Sequence, residues 1–472
     1  MLLYKLLKSG IDGNMYFMLK CLYKSTEASV LVNDQTTEWF KTLQGVRQGD
    51  SLSPTLFSIF LNDLAIEINE MSCGVKVGDH NIGILLYADD VALISEDEHK
   101  MQKMIDCVYK WCMKWKMKVN LTKSKIMHFR KKNMESSKYM FLFGFEPLEY
   151  VKYYKYLGIY FDEFLDFNFH AETLAGSGQR ALGALIAKYK SYNDMTWNTY
   201  KKLYESCILS VLTYGAEIWG YLTETRTTLV QNKAMRVFLG VGKNAANLAM
   251  IGNLAWTPQS ISKKVCMLRY WNRLIKMDEN RLTKQVFLDS YLKNGKWCKS
   301  IRNVFKEIDM SFIYENKNVC NIDICKMKLI DNFKKFWKKG IEKKTKLRTY
   351  CTIKGNFEIE KYVSLNLQAN ERSVLSQLYF GILPLEIELG RYSQTPLDKR
   401  QCKICKSGIE DEIHFIFHCP SYAVERDKFL NEVEYSQYNS DSVNLKCIIN
   451  SYPRKLSKYI IKLLELRKSR LT

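Results

Sequence analysis

The 472-residue sequence contains no apolar stretch long enough to cross a membrane as a helix. Lys5 and Lys8 interrupt its short apolar start, so the pattern of a secretory signal peptide is missing. The fourteen cysteines are scattered mostly singly, unlike the dense cysteine frameworks of secreted domains. We therefore expect an intracellular protein of the cytoplasm and nucleus, with reduced thiols, no membrane partner and no secretion.

Low-complexity tracts, short-period repeats and long Gly/Ser linkers are also missing. Acidic residues are too few to balance the basic ones, and the net charge is +21. Such a charge favours a polyanionic partner, most simply nucleic acid. A generally lysine-rich surface with no such partner is the alternative.

Two adjacent acids, Asp89 and Asp90, lie between the apolar runs Leu85–Leu86 and Val91–Ile94. Unpaired carboxylates do not belong inside a core, because burying a charge is costly. Between two strand-like runs they predict a hairpin tip that presents oxygen ligands to Mg²⁺. An Asp-Asp turn without a metal is the alternative.

A glycine-rich loop precedes this hairpin and reads Gln44-Gly45-Val46-Arg47-Gln48-Gly49-Asp50. Such a loop before a helix lets the backbone approach a ligand closely. The next residues predict a helix through Ile68, with Ser53 as its cap and Pro54 at its first position.

Four blocks occur in a characteristic order: the loop ending at Pro54, Tyr87-Ala88-Asp89-Asp90, Asn120-Leu121-Thr122-Lys123-Ser124-Lys125, and Tyr156-Leu157-Gly158-Ile159. In this order they resemble the reverse transcriptases of non-long-terminal-repeat (LINE-like) retrotransposons. The resemblance extends from the start to about residue 240 and reappears near the C-terminus.

The resemblance implies an RNA-directed DNA polymerase that extends a DNA primer or nicked target on an RNA template from deoxynucleoside triphosphates. It implies that Asp89 binds both catalytic Mg²⁺ ions, with Asp90 supporting the site. Lys123 is similar to the family lysine near the triphosphate, and Lys125 is the neighbouring candidate. The residues that it implies contact primer, template or nucleotide are Arg47, Gln48, Gly49, Tyr87, Tyr156, Leu157 and Gly158.

Plainer interpretations stay open for two of these blocks. Lys123 fits an ordinary surface lysine, and Tyr156 to Gly158 fit a strand-to-turn packing element. Polymerases of the family also carry another aspartate on a strand before the loop. Asp12 and Asp34 lie in predicted turns and lack that strand context.

We therefore expect an N-terminally truncated polymerase, incomplete without the upstream aspartate. The alternative is a non-catalytic nucleic-acid-binding remnant of such an element. A group II intron-like maturase is a third hypothesis, and the cysteines near the C-terminus argue against it.

Cys402, Cys405, His414 and Cys419 have the spacing C-x2-C-x8-H-x4-C, which suits a closed, tetrahedral structural Zn²⁺ site. His418 competes with His414 as the imidazole ligand. The resemblance includes a similar knuckle, whose family pattern is matched here by Asp411 to Phe415 and by His418 to Tyr422. Such a knuckle either grips RNA or DNA, with charge from Arg400, Lys403 and Lys406, or staples the small C-terminal lobe. A reduced, metal-free cluster is the other alternative.

The stretch from Phe333 to Lys339 interleaves aromatic residues with lysines. It fits either a nucleic-acid-binding face or an amphipathic helix with an aromatic core side.

The element pattern predicts an α+β polymerase palm with an antiparallel sheet, followed by helices. Within the palm we expect a turn at Asn33-Asp34 and a strand pair, Gly74–Val77 and Ile82–Leu86, joined by a loop from Gly78 to Asn81. We expect an amphipathic helix from Asp97 to Lys118, whose apolar stripe fits core better than a ligand site, and later helices at Leu174–Tyr189 and Trp197–Tyr214. We expect five regions: 1–162 as partial fingers and palm, 163–260 as a thumb-like helical region, 261–395 as a basic helical connector, 396–425 as the zinc knuckle and 426–472 as a helical tail.

Overall fold

The computed structural model describes residues 1–24, 26–42, 45–192, 195–222, 225–436 and 438–471. Gln44, which opens the predicted loop, lies outside these ranges. The chain folds into two compact units, Met1–Asp166 with Glu279–Leu292 and Phe167–Asp278 with Lys293–Thr472. Within the described ranges, no helix has both the length and the apolar character needed to cross a bilayer.

Among the described residues the strands are short. In chain order they are β1 (Glu27–Ala28), β2 (Leu31–Val32), β3 (Gln35–Thr36), β4 (Phe40–Lys41), β5 (Val75–Val77), β6 (His80–Ile82), β7 (Ile84–Tyr87), β8 (Asp90–Leu93), β9 (Lys125–Ile126), β10 (Leu142–Phe143), β11 (Glu146–Pro147), β12 (Glu149–Tyr150), β13 (Tyr153–Tyr156) and β14 (Ile159–Asp162).

The α-helices of the described chain are α1 (Leu2–Lys8), α2 (Gly13–Lys24), α3 (Ser53–Glu70), α4 (Glu98–Trp115), α5 (Asn168–Ser191), α6 (Trp197–Tyr204), α7 (Ser210–Leu212), α8 (Ala216–Trp219), α9 (Arg226–Leu239), α10 (Asn247–Leu254), α11 (Gln259–Lys276), α12 (Leu282–Leu292), α13 (Lys296–Glu307), α14 (Ser311–Glu315), α15 (Ile322–Glu342), α16 (Arg348–Ile353), α17 (Lys361–Ser364), α18 (Ala369–Phe380), α19 (Glu386–Tyr392), α20 (Ala423–Leu430), α21 (Asp441–Ser451) and α22 (Pro453–Leu471). π-Helical turns span Glu205–Leu209 and His414–His418, and 3-10 turns span Thr345–Leu347, Leu397–Lys399 and Pro420–Tyr422.

All fourteen strands belong to the first unit, and in the described chain they pair two at a time. The pairs β1–β4, β2–β3, β5–β6, β7–β8, β10–β11 and β13–β14 are antiparallel, whereas β9 and β12 run parallel. The protein is thus a mixed α and β protein with mostly antiparallel pairing. The described strands form separate ladders rather than one continuous sheet.

The tight turns follow from local backbone chemistry. Asn33 and Asp34 both have positive φ, of 48° and 61°, between β2 and β3. Two residues with positive φ give a turn whose twist matches paired strands, and Asn and Asp tolerate that conformation well. The predicted turn at Asn33-Asp34 is therefore confirmed.

A second predicted hairpin has a shifted boundary. The sequence predicted a loop from Gly78 to Asn81, followed by a strand from Ile82. In the structure only Gly78 and Asp79 form the turn, and β6 begins at His80. A two-residue turn is possible because Gly78 adopts a φ of +57° without a Cβ penalty.

The core of the first unit lies between α3 and α4. Buried side chains of α3 (Phe60, Leu61, Leu64, Ile68) pack with those of α4 (Met104, Cys107, Val108, Trp111, Cys112) and with Ile84 of β7. The predicted apolar stripe of α4 is core, as expected. Asp97 caps α4 by accepting a hydrogen bond from the Lys100 amide at 2.8 Å.

Lys5 of α1 is inserted into this core, with only 4% of its surface exposed. Its Nζ lies 4.2 Å from the ring centre of Phe60, 4.4 Å from Trp111 and 3.9 Å from Trp115. It donates to the Phe60 carbonyl at 2.5 Å and to Asp63 Oδ1 at 2.7 Å. A buried ammonium needs such partners, because its desolvation is otherwise too costly. Lys5 therefore joins α1 to both core helices.

The described part of the second unit is helical, apart from a short β-bridge between Gln401 and Ile409. The helices predicted around Leu174–Tyr189 and Trp197–Tyr214 are present as α5 and as α6 to α7. Large aromatic residues fill its core. These include Trp197, Tyr200, Tyr204, Phe238, Trp337, Tyr350, Tyr362 and Tyr379.

The aromatic and lysine stretch from Phe333 to Lys339 lies on α15. Trp337 is buried and donates its indole N–H to the Leu248 carbonyl at 2.9 Å. Phe333 packs on the same core, whereas Phe336 is 62% exposed. An amphipathic helix with an aromatic core side therefore accounts for Phe333 and Trp337, and Phe336 is the aromatic residue left on the surface.

Candidate functional site

The Tyr87 to Asp90 segment forms the tip of the β7–β8 hairpin. Tyr87 and Asp90 are paired across the ladder, and Ala88 and Asp89 form the two-residue turn. Ala88 has a left-handed φ of 52°. For a residue with a Cβ this conformation costs on the order of 1 kcal/mol, which the flanking ladder must offset. The strained turn places Asp89 at the extreme tip.

Both carboxylates are exposed, as a metal-binding hairpin requires. Tyr87 beside them is 62% exposed. Within the described part of the chain, the one convergent group of three or more His, Cys, Asp or Glu ligands is the cysteine cluster at Cys402. The hairpin therefore presents two carboxylates, and no third metal-binding side chain from the described residues converges on them.

In the predicted Tyr156-Leu157-Gly158 block, Tyr156 is the last residue of β13 and pairs with Ile159, and Leu157 and Gly158 form the turn of the β13–β14 hairpin. Leu157 and Gly158 both have positive φ, of 47° and 84°. Burial, together with the negative charge of Asp90 and the nearby Tyr154, raises the pKa of Tyr156. The Tyr156 phenol is thus within electrostatic reach of Asp90.

The Lys123 segment joins the same neighbourhood through its backbone. The Tyr154 hydroxyl donates to the Lys123 carbonyl at 3.1 Å. The Lys123 amide donates to the Asn120 carbonyl at 3.1 Å, which closes the turn before β9. The exposed Lys123 ammonium forms no ion pair with any described residue.

Lys125 differs from Lys123 in this respect. Its ammonium is 2.5 Å from Glu149 Oε2, and the two residues face each other across the parallel β9–β12 pair. The structure therefore holds Lys125 in the ladder and leaves Lys123 available to a ligand.

The loop before α3 is closed by its own hydrogen bonds. Ser53 Oγ donates to the Arg47 carbonyl at 2.5 Å, and the Leu52 amide donates to Asp50 Oδ1 at 3.1 Å. The predicted cap at Ser53 is wrong: Leu52 is the N-cap, Ser53 begins the helix and Pro54 is its second residue. The Ser53 hydroxyl bonds back into the loop instead of capping the helix. Gly49 makes the bend with a φ of +84°.

The Arg47 guanidinium donates to the Leu22 carbonyl at 2.8 Å and lies 5.9 Å from the ring of Tyr23. Arg47 and Gln48 line a largely apolar cleft of about 1270 Å³ within the first unit. No hydrogen bond or ion pair among the described residues joins Arg47, Gln48 or Gly49 to the Asp89 hairpin.

The four predicted zinc ligands lie close together in the structure. The ligand atoms of Cys402, Cys405, His414 and Cys419 all lie within 4.8 Å of one another. Cys405 Sγ and His414 Nε2 are 3.3 Å apart. In a tetrahedral zinc site the Zn–S distance is about 2.3 Å and the Zn–N distance is about 2.0 Å, so the ligand atoms lie about 3.5 Å from one another. The donor set and its spacing therefore fit Zn²⁺.

Backbone hydrogen bonds shape this cluster. The Cys402 amide donates to the Gly408 carbonyl at 2.8 Å, and the Lys406 amide donates to the Cys402 carbonyl at 2.9 Å. The Cys419 amide donates to the His414 carbonyl at 2.8 Å across a π-helical turn. These bonds bring two distant parts of the sequence to one point.

The structure separates the two candidate imidazoles. His414 lies in the cluster, whereas His418 Nε2 is 2.7 Å from Asp441 Oδ2 and its side chain is about half exposed. Burial lowers the pKa of His414, which favours the neutral, metal-binding imidazole.

Burial raises the pKa of the Cys402 thiol to about 12 and also raises that of Cys419. For Cys405 burial acts in the same direction, but hydrogen bonds from Ser407, Cys402 and Cys419 together outweigh it, and the pKa is lowered. A divalent cation stabilises thiolates that burial alone disfavours.

The cluster is part of the core of the second unit. Cys402 and Cys419 are almost fully buried and pack with Phe415, Ile416 and Tyr422. Arg400 donates to the carbonyls of Thr395 and Ile387, both at 2.9 Å, and Lys403 lies 2.9 Å from Glu386. Two of the three cations expected to touch nucleic acid are thus bonded within the protein, which favours the structural staple.

Sequence reasoning missed the buried acids beside the cluster. Glu410 and Glu412 are 0% and 1% exposed. Arg467 donates twice to Glu410, at 2.7 Å each, and Arg348 donates twice to Glu412, at 2.9 and 2.7 Å. The acidic run beside the knuckle was visible in the sequence, but Arg348 and Arg467 are too distant in the chain for any spacing rule to find.

Comparison with known proteins finds a family match in the first unit. Residues 2–161 match the family model described as reverse transcriptase (RNA-dependent DNA polymerase). This segment is similar to a reverse transcriptase domain. It contains every predicted site residue except the cysteine cluster.

Relatives of the chain come from non-long-terminal-repeat elements. The RNA-directed DNA polymerase from mobile element jockey of Drosophila funebris is 24% identical over 248 residues, which are 51% of this chain and 26% of that protein. The probable RNA-directed DNA polymerase from transposon BS of Drosophila melanogaster is 28% identical over 202 residues, 41% of this chain and 22% of that protein.

The Pol polyprotein of the type-1 element R2 of Nasonia vitripennis is 32% identical over 81 residues, 17% of this chain and 8% of that protein. The predicted resemblance to LINE-like reverse transcriptases is confirmed. The matched segment covers about a quarter of the length of the jockey and BS proteins.

Proposed function

We propose that this chain is part of an RNA-directed DNA polymerase of a LINE-like retrotransposon. It would extend a DNA primer on an RNA template from deoxynucleoside triphosphates. The observation that carries the proposal is the strained β7–β8 hairpin, which exposes Asp89 and Asp90 inside a reverse transcriptase domain and beside the Tyr156 hairpin.

Asp89 and Asp90 would hold Mg²⁺, with Asp89 nearest the reacting atoms. When bound, the metal lowers the pKa of the primer 3′-hydroxyl and neutralises charge on the leaving pyrophosphate. Two-metal sites are built from several convergent oxygen ligands. Since the described residues bring two carboxylates to this hairpin, full activity is expected to need a further carboxylate from elsewhere.

The side chains around the hairpin have distinct proposed roles. Tyr87 would lie beside the primer end, and the turn formed by Tyr156, Leu157 and Gly158 would hold the primer strand. Lys123 would protonate the departing pyrophosphate, a role supported by its exposed ammonium, which forms no ion pair with a described residue.

The loop at Arg47, Gln48 and Gly49 would contact template or nucleotide. Its bend at Gly49 leaves backbone accessible, since, apart from its chain neighbours, no described residue has an atom within 4 Å of the Cβ position there. Arg47 would leave the Leu22 carbonyl to reach a phosphate.

In the second unit, Cys402, Cys405, His414 and Cys419 would hold a structural Zn²⁺ ion. The division into palm, thumb-like region, connector, knuckle and tail, and the location in cytoplasm and nucleus, belong to the same proposal. The mixed architecture of Met1–Asp166 and the helical character of the second unit support this division, whereas Glu279–Leu292 of the proposed connector belongs to the first unit.

Primer extension with an oligo(dT) primer on a poly(rA) template tests the polymerase proposal. In a version of the protein that extends, Asp89→Asn should reduce Mg²⁺-dependent extension by about 1000-fold, since the metals supply several kcal/mol of stabilisation. The matched control is Asp79→Asn, because Asp79 occupies the exposed turn of the β5–β6 hairpin. Equal activity of the two variants would remove the metal assignment.

Lys123→Ala should lower extension by about 10- to 100-fold and shift its pH profile, because a general acid is lost. Lys125→Ala breaks only the ion pair with Glu149 and should leave the pH profile unchanged. The same loss in both variants would mean that Lys123 has no special role.

A non-catalytic nucleic-acid-binding remnant is the second candidate. The observation that favours it is that two, not three, carboxylates converge at the hairpin in the described chain. Salt-dependent RNA binding without extension at any Mg²⁺ concentration supports it, whereas extension by the chain alone contradicts it.

A further inference from the structure

The zinc cluster has a buried acid directly behind one of its thiols. Glu410 Oε1 lies 3.7 Å from Cys402 Sγ, and the Glu410 side chain is fully buried. Its other oxygen, Oε2, accepts from the Glu386 amide at 2.8 Å. A carboxylate in this position accepts a hydrogen bond from the Cys402 S–H when no metal is bound.

Arg467 of the C-terminal helix α22 neutralises this acid. Its Nε donates to Glu410 Oε1 and one terminal nitrogen donates to Oε2, both at 2.7 Å. The same nitrogen reaches Glu386 at 3.3 Å, and Arg467 is 6% exposed. A buried bidentate pair is rigid, and its partners cannot be replaced by water.

Metal binding changes the charge beside Glu410. When a divalent cation binds Cys402, the thiol proton leaves to solvent. Glu410 then faces a metal-bound sulfur instead of an S–H donor. Three cysteine thiolates and one neutral imidazole around Zn²⁺ carry a net negative charge. An uncompensated carboxylate at 3.7 Å would oppose that charge.

We propose that Glu410 and Arg467 are positioning residues of the zinc cluster, and that Arg467 makes zinc binding compatible with the buried acid behind Cys402. The proposal rests on the zinc assignment above. It adds that the end of α22, 48 residues along the chain from Cys419, contributes to zinc affinity. Groups hydrogen-bonded around a metal's ligands typically contribute 10- to 100-fold to affinity.

Zinc affinity measured by competition with a chromophoric chelator, in reducing buffer, tests this. Arg467→Met should weaken zinc binding by about 10- to 100-fold, because Glu410 is left charged and buried. Adding Glu410→Gln to Arg467→Met should recover most of that loss, because the amide is neutral and can donate to sulfur. A purely structural role predicts the opposite, that the second substitution adds further damage.

The matched control is Lys354→Met, which breaks another buried ion pair of the same unit, between Lys354 and Glu360. It should lower stability without changing zinc affinity in the folded protein. Circular dichroism identifies variants that do not fold. If Arg467→Met fails to fold, the double variant, which leaves no uncompensated charge, still decides the question.

Three outcomes overturn the proposal. Wild-type protein without one tightly bound zinc removes the zinc assignment itself. Wild-type zinc affinity in Arg467→Met removes only the role of Arg467. A double variant as weak as Arg467→Met shows that the charge of Glu410 is not the cause.

Discussion

The buried ammonium of Lys5 allows a test of whether charge pairing or apolar packing of this side chain stabilises the first unit. Three aromatic rings, the Phe60 carbonyl and Asp63 surround it, yet burial lowers its pKa from the ordinary value of 10.5 despite the pairing with Asp63. The lowered pKa means that desolvation outweighs the attraction to Asp63. The charge of Lys5 should therefore contribute little to the free energy of unfolding, and the packing of its aliphatic stem should contribute most.

This reasoning gives two magnitudes. Lys5→Ala removes three buried methylene groups, each worth about 0.8 kcal/mol, and should destabilise the first unit by about 2 to 3 kcal/mol. Lys5→Met keeps an apolar stem between the rings and should cost less than about 1 kcal/mol, because hydrophobic replacement of buried ion pairs is often neutral. Asp63 tolerates the change, since its carboxylate keeps the Trp111 N–H at 3.0 Å and is half-exposed.

Hydrogen exchange of α1 and α3 amides, read by mass spectrometry, gives the free energy of opening for each variant. Lys8→Ala is the matched control, because Lys8 is exposed on the same helix and meets only the Tyr4 ring at 5.3 Å. It should cost no more than about 0.5 kcal/mol. A cost above about 3 kcal/mol for Lys5→Met would refute the reasoning, because the charge pairing would then dominate desolvation.

The pH dependence supplies an independent check. Between the lowered folded-state pKa of Lys5 and 10.5, the unfolded chain binds the proton more strongly than the folded chain. Stability of the wild type relative to Lys5→Met should therefore rise with pH through this window and decline as pH falls through the folded-state pKa. A fall with rising pH would mean that the pKa is raised.

Two further predictions concern the backbone at Gly158 and the zinc ligands. Gly158→Ala should destabilise the β13–β14 hairpin by about 1 to 2 kcal/mol, because Gly158 has a φ of +84°. The control Gly183→Ala, on the open surface of α5, should stabilise the protein by about 1 kcal/mol. Urea titration measures the change in unfolding free energy for each variant, and changes of the same sign would contradict the assigned turn. His414→Ala should lose bound zinc and His418→Ala should keep it, as atomic emission of the purified proteins would report; zinc loss only in the His418 variant would reverse the ligand assignment.

Local chemistry explains why the hairpins were predictable. Asn33-Asp34 and the acidic Asp89-Asp90 pair are residues whose side chains favour turns, and apolar runs flank the acidic pair. Turn boundaries were harder to predict from the sequence, because the choice between a two-residue and a four-residue loop at Gly78 depends on cross-strand pairing. Pairing is a property of two segments together.

The Ser53 cap is a second example of a local sequence rule that a tertiary contact overrides. Ser-Pro before an apolar run is an ordinary helix start, and the helix is present. The Ser53 hydroxyl instead found the Arg47 carbonyl, six residues earlier, because the bend at Gly49 brings that carbonyl within 2.5 Å. A propensity rule compares the hydroxyl only with the helix amides that follow it.

Residue type, order and spacing were enough to predict the reverse transcriptase blocks, two acids at a hairpin tip and the four zinc-type ligands. The choice between neighbouring candidate residues became clear only in the folded protein. There His414 rather than His418 lies in the cluster, Lys125 is paired with Glu149 while Lys123 forms no ion pair with a described residue, and Arg467 lies behind Glu410. Contacts between residues distant in the chain make these choices, and such contacts exist only after the core has packed.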